Sequence, residues 1–313
     1  MTRAFLFPGQ GSQAVGMGNA LAEAFAPARE VFQEVDDALS QKLSKLMWEG
    51  PEEDLVLTEN AQPAIMAASL AVVRVLEKEM GLDIAKHARL VAGHSLGEYS
   101  ALCAAGAFSL ADTARLLKTR GQAMQSAVPV GEGGMTALIG ADIEQAEAVA
   151  TEAAASGGTC VVANDNSPGQ IVISGTLDAL ARAAEIAKAK GIKRAMPLAV
   201  SAPFHCPLMQ PAADKMAEAL GAVTIRPLAA PVLANVTAAE ARDPETVRRL
   251  LVEQVTGRVR WRESILALKA LGVETTVEFG GKVLTGMVKR IDPSLGMIAL
   301  ETPADLEAFG KGL

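Results

Sequence analysis

VAGHSLGEYS, residues 91–100, sets one serine between two glycines, straight after a histidine and at the end of an apolar run. Leu90 to Gly93 read as a short buried strand. From Leu96 onward, small and apolar residues read as a helix. A serine on the sharp turn between strand and helix is the setting in which Gly-x-Ser-x-Gly carries chemical meaning. The glycines allow the tight turn and close packing around it. The first amides of the helix then point toward the serine, and that of Leu96 can donate to an oxyanion forming there. Two readings stand: a structural turn, or a turn that holds Ser95 as a nucleophile.

A serine hydroxyl is weak until a base takes its proton. The chain has three histidines, His87, His94 and His205. His94 adjoins Ser95, but adjacent side chains on a sharp turn diverge. His205 lies in SAPFHCPLM (201–209), between two prolines at the end of a strand, in a fixed loop that can return to Ser95. His205 is the candidate base. Arg120 follows on a later helix, over Leu110 to Ser126. Its spacing fits a solvated helix face as well as an arginine that grips a carboxylate with two parallel hydrogen bonds.

Composition narrows the classes. The chain has 313 residues, half of them hydrophobic, with 21% charged. That suits a large globular core in one or two domains. A net charge of −7 removes the broad basic surface that nucleic acid needs, and 4% aromatic residues argue against a base-stacking platform. Cys103, Cys160 and Cys206 are far apart, which argues against a disulfide framework and a zinc site and fits a reduced, cytoplasmic setting. No H-x-x-x-H spacing supports a metal hydrolase. The N-terminal apolar run, Ala4 to Phe7, is too short for a signal peptide. No stretch nears the roughly 18 apolar residues of a membrane span.

Along the chain, Ala4 to Phe7 read as a strand, followed by a Gly- and Gln-rich loop. Residues 19–47 and Gln62 to Glu79 read as largely helical. From residue 135 the pattern becomes strand (135–141), helix (142–155), two strands (160–166 and 170–175), helix (176–190) and strand (193–200). That βαββαβ order is ferredoxin-like. It suggests an inserted domain over 132–200, with 1–131 and 201–313 forming one larger domain around it. Strands at 232–237 and 275–280 and helices at 244–254 and 261–271 return to βα character.

Five stretches together resemble the malonyl-CoA:acyl carrier protein transacylases of fatty acid synthesis: FPGQGSQ (7–13), AGHSLGEYSAL (92–102), KTRGQAM (118–124), SAPFHCPLM (201–209) and VEQVTGRVRW (252–261). The resemblance runs from residue 5 to about residue 290. It implies an α/β fold, an α/β hydrolase-like large domain with the ferredoxin-like insert. It implies that Ser95 is acylated, that His205 is its base, and that the backbone carbonyl of Gln254 orients the imidazole where other enzymes use Asp. The amides of Gln10 and Leu96 would form the oxyanion hole. Arg120 would pair with the malonyl carboxylate, Phe204 would leave no room for a branched extender, and Asn164 would lie near the thioester arm. The implied substrates are malonyl-CoA and holo acyl carrier protein, with no cofactor or metal, no nucleic acid, no membrane, and a monomeric state. Lys188, Lys190, Lys193 and Arg194 are candidates for a carrier-facing patch, or an ordinary solvated face.

Three rivals remain at this level. A serine hydrolase would share the elbow without needing Arg120 or FPGQGSQ. A docking module or decayed paralogue would not need Gln10, Ser95, Arg120, His205 and Gln254 all intact. An acyltransferase serving a polyketide synthase would use the same residues throughout.

Overall fold

Alternation along the N-terminal strand determines how the molecule layers. In the computed structural model, which describes residues 2–200 and 202–313, Ala4, Phe5, Leu6 and Phe7 are all fully buried. Phe5 and Phe7 enter one apolar core and Ala4 and Leu6 another. A strand buried on both faces belongs in the middle of a parallel sheet covered by helices.

The described strands form two sheets. In chain order they are β1 (Arg3–Phe7) and β2 (Leu90–Gly93); then β3 (Gly133–Ile139), β4 (Cys160–Ser167), β5 (Gln170–Thr176) and β6 (Arg194–Pro197); then β7 (Val232–Ala234), β8 (Ala239–Ala241), β9 (Thr275–Phe279) and β10 (Gly296–Leu300). The large sheet runs β10-β9-β1-β2-β7-β8. Every pairing in it is parallel except β7 with β8. The Phe5 face packs against helices that include Ala26–Leu39, Thr58–Glu79, Leu110–Ser126 and Pro244–Thr256; the Leu6 face packs against Trp261–Ala270 and Val283–Ile291.

The second sheet is antiparallel in the order β4-β5-β3-β6 and has its own core beneath helices Ile143–Ala154 and Leu177–Ala189. This is the expected βαββαβ arrangement, and the fold is α/β. The small sheet meets the larger part of the chain where Asn164 bridges to Val259, outside any strand, and where the buried Asp165 pairs with Arg262 of the helix Trp261–Ala270 at 2.9 Å.

Several boundaries differ from the sequence reading. Residues 19–47 break into Asn19–Ala24, Ala26–Leu39 and Leu43–Glu49, because Phe25 is extended and Ser40 turns left-handed. The Gln62 helix starts earlier, at Thr58, and carries Pro63 inside it. VLANVT is strand only through Ala234; the chain then turns back as β8. Met1 and Ser201, the first residue of SAPFHCPLM, lie outside the described residues. Among the described residues, no helix is long and apolar enough to cross a membrane.

Candidate active site

The carboxyl ends of three adjacent parallel strands, β1, β2 and β7, carry Gln10, Ser95 and Asn235 respectively, at the edge where such sheets bind ligands. The glycines of GHSLG are there for close approach. A methyl on Gly93 would run into the backbone of Gly97 and Glu98, and one on Gly97 would run into the carbonyl of Phe7. Strand, helix start and neighbouring strand are thus in backbone contact, which no larger residue permits. Gly9 is similarly pressed on the elbow: its added Cβ would stand 2.6 Å from the His94 carbonyl oxygen.

Between these glycines Ser95 adopts φ 53°, a left-handed conformation that costs about 1–3 kcal/mol for a side-chain-bearing residue. The surroundings hold it there. The Ser95 N–H donates to Asn235 Oδ1 at 2.7 Å, and the Ser95 carbonyl accepts from Gln254 Nε2 at 3.0 Å. Asn235 also donates from Nδ2 to the Gly93 carbonyl at 2.7 Å. Leu96 is the N-cap of the helix Gly97–Ala104, and its amide has no acceptor among the described residues. The same holds for the amide of Gln10, whose side chain donates to Thr58 Oγ1 at 3.3 Å. Free amides beside a serine hydroxyl are what an oxyanion hole requires.

The Ser95 hydroxyl lies 2.8 Å from His205 Nε2. On the other side of the ring, Nδ1 lies 2.8 Å from the backbone carbonyl of Gln254. A carbonyl only accepts, so Nδ1 carries the proton and Nε2 presents its lone pair to the serine O–H. His205, with a positive φ of 57°, is buried. Burial first, and then the charge of Arg120, pull its imidazole down to about 3. It is therefore neutral and ready to accept a proton at any ordinary pH.

Arg120 is 1% exposed. It donates to Gln62 Oε1 at 2.8 Å, to Gln254 Oε1 at 2.8 Å and to Ser95 Oγ at 3.0 Å, and its Nε–H has no acceptor among the described residues. The Tyr99 ring lies 5.6 Å away. No carboxylate forms a salt bridge with it among the described residues, so a buried cation waits beside the hydroxyl with donors to spare. Leaving such a charge without an anionic partner is costly.

The structure thus brings Ser95, His205, Arg120 and Gln254 into one hydrogen-bonded group. Phe204 is buried beside His205 in the chain. Asn164 lies on β4 at the bridge to Val259. It is Asn166 that reaches the elbow, where its Oδ1 lies 2.8 Å from His94 Nε2. His94 also packs edge-on to Trp261, which settles it as a structural neighbour rather than a base. Sequence reading missed Gln62, Asn235 and Glu98. Gln62 is an amide in the first turns of an otherwise apolar helix, and Asn235 is the polar residue that ends an apolar strand at the ligand-binding edge.

A serine on a strand-to-helix elbow, a neutral histidine base and free amides form the apparatus of covalent acyl transfer. The chain matches the family model described as an acyl transferase domain over residues 4–282. It is 47% identical over 305 residues to the malonyl CoA-acyl carrier protein transacylase of Bacillus subtilis (strain 168), covering 97% of this chain and 95% of that one. The chain belongs to the malonyl-CoA:acyl carrier protein transacylase family. Among solved structures it resembles the acyl-carrier-protein-S-malonyltransferase of Bartonella henselae, with 55% identity and a TM-score of 0.97 over 100% of this chain and 99% of that one. It also resembles a malonyl-transacylase solved with its type II polyketide synthase acyl-carrier protein, with 42% identity and a TM-score of 0.95 over 100% of both chains.

Proposed function

We propose that the chain moves a malonyl group from malonyl-CoA to the phosphopantetheine thiol of acyl carrier protein through a malonyl-serine. The observation that carries this reading is Arg120, a buried guanidinium 3.0 Å from the Ser95 hydroxyl with no carboxylate in salt-bridge reach among the described residues. A short acyl group ending in a carboxylate supplies what it lacks.

In the first half-reaction His205 Nε2 takes the Ser95 proton as Oγ attacks the thioester carbonyl. The amides of Gln10 and Leu96 hold the oxyanion. The C–S bond breaks, and the CoA sulfur leaves with the proton from His205. In the second half, the carrier thiol gives its proton to His205 and attacks the serine ester; Ser95 recovers the proton. A thioester is exchanged for an ester and then a thioester, so the balance needs no cofactor or metal. The Gln254 carbonyl keeps the imidazole in one tautomer throughout. Phe204 limits the acyl pocket to an unbranched extender, and Asn164 lines the approach of the thioester arm.

In this reading residues 1–131 and 201–313 form the catalytic domain and 132–200 the insert, and the protein works as a cytoplasmic monomer in fatty acid synthesis. Service to a polyketide synthase is the second reading, suggested by the relative solved with such a carrier. Intact-protein mass spectrometry after mixing with malonyl-CoA, then holo acyl carrier protein, tests the proposal. The expected result is a malonyl adduct that moves from enzyme to carrier and never forms in Ser95→Ala. An adduct that decays to free malonate while the carrier stays bare would make the protein a thioesterase.

A further inference from the structure

Glu98 is a carboxyl group 1% exposed, one helical turn past the nucleophile, and the mechanism above gives it no task. Its Oε2 accepts two hydrogen bonds, from Gln254 Nε2 at 2.8 Å and from the backbone N–H of Asn235 at 3.0 Å. Those are the two residues whose side chains grip the peptide groups of Ser95. Gln254 does more: its backbone carbonyl orients His205 and its Oε1 accepts from Arg120.

A side-chain amide can sit either way round, and its surroundings decide. Around Gln254, two acceptors, Glu98 Oε2 and the Ser95 carbonyl, face Nε2, while the donor Arg120 Nη2 faces Oε1. Turned over, the amide would set oxygen against both acceptors and NH2 against the guanidinium. We infer that Glu98 is a positioning residue: by accepting from Gln254 and Asn235 it locks the Gln254 amide with its oxygen toward Arg120, and so aims the guanidinium at the acyl group on Ser95. The inference rests on the malonyl reading, since it gives the aimed guanidinium a carboxylate to meet.

The test compares wild type, E98L, E98D and E98Q for transfer from malonyl-CoA and from acetyl-CoA. Leu fills the space without an acceptor; Asp withdraws the acceptor by one methylene; Gln can return an oxygen to the same place. With Glu98 removed, displacement of the clamp is expected to lower malonyl kcat/KM by about 100-fold in E98L, the scale of a 1 Å misplacement. The KM for malonyl-CoA rises, and the malonyl-to-acetyl ratio falls at least about tenfold. E98Q restores both to within about fivefold of wild type. A folded E98L with the wild-type ratio would reduce Glu98 to packing and overturn the inference, as would a folded E98Q no better than E98L. If E98L does not fold, E98D decides: the wild-type rate and ratio in E98D overturn it. On the same samples without substrate, NMR of the Gln254 side-chain amide should give slow hydrogen exchange in wild type and E98Q and fast exchange in E98D. Equal exchange in E98D would sink the lock. A wild-type protein that transfers no malonyl would sink the malonyl reading, while the amide measurement would still test the lock.

Discussion

Around Ser95 Oγ two groups meet one hydroxyl: His205 takes its proton, and Arg120 donates to its oxygen at 3.0 Å. Removing the cation should separate substrates. Arg120→Ala is expected to lower malonyl kcat/KM by about 10²–10³-fold, as loss of a buried charge partner does. Acetyl transfer should rise relative to malonyl transfer; steady-state assays with both thioesters check this, and unchanged malonyl transfer would end the clamp assignment. The base makes a pH prediction. Because burial and then Arg120 hold His205 at about 3, the rate of Ser95 acylation should run level through pH 6.5 and fall only in stronger acid. An inflection near 6.5 would contradict it. Stability follows with a worked sign. Unfolded His205 takes its proton near 6.5 and the native one near 3, so its contribution is present above 6.5 and lost as pH falls toward 3. Burial pushes Glu98 up to about 7 from 4.5, so its contribution is full below 4.5 and lost as pH rises through 7. E98Q should therefore flatten the decline in Tm between about pH 4.5 and 7. At this scale the serine and the histidine were legible, because the serine sits oddly between two glycines and the chain has only three histidines; the spacing of Arg120 fitted a solvated face equally well, and its role came from the family resemblance. Glu98 was not legible: in sequence it is only an acidic residue in the first turn of a helix, and its partners lie 137 and 156 positions away.

The elbow depends on glycine for a reason that spacing alone did not display. Gly93 faces the backbone of its own helix, and Gly97 faces the end of β1. An alanine at either site has no flexible side chain to push aside. Gly93→Ala and Gly97→Ala are each expected to cost about 3 kcal/mol or more, the upper end of overpacking, read as a lower urea midpoint. An unchanged midpoint would mean that strand and helix can separate without cost. The βαββαβ sheet was legible because its strands and helices alternate in period over short, well-punctuated segments. The breaks within 19–49 were not read, although Pro27 in the first turn after Phe25 marks a helix start; Ser40, which ends the next helix left-handed, is not a glycine or asparagine that would have flagged the stop. The short edge strand β8 has too few residues to display any period.

Across the whole molecule the small sheet is joined to the rest by a shared apolar core and several polar ties, and Asp165 makes the most demanding of them. It is fully buried, and Arg262 meets it with Nε and Nη2. Arg262→Ala would leave that carboxylate without its cation. The expected loss is roughly 2–3 kcal/mol, below the usual figure for a fully buried pair because Arg262 is partly exposed and water can enter. Urea unfolding measures it, and no loss would show that this ion pair does not hold the two parts together. The paired sheets could be inferred from element order, whereas the contact between them could not, because residues 164–166 meet residues near 94 and 259 only after the chain has folded. The same long reach has a consequence in time. A ribosome delivers Ser95 long before Gln254, and until the helix Pro244–Thr256 docks, nothing sets the tautomer of His205 or turns Arg120 toward the elbow. A half-made or truncated chain therefore carries the serine yet is chemically mute. It neither captures malonyl groups nor wastes them to water, and transfer begins only when nearly the whole polypeptide has been made.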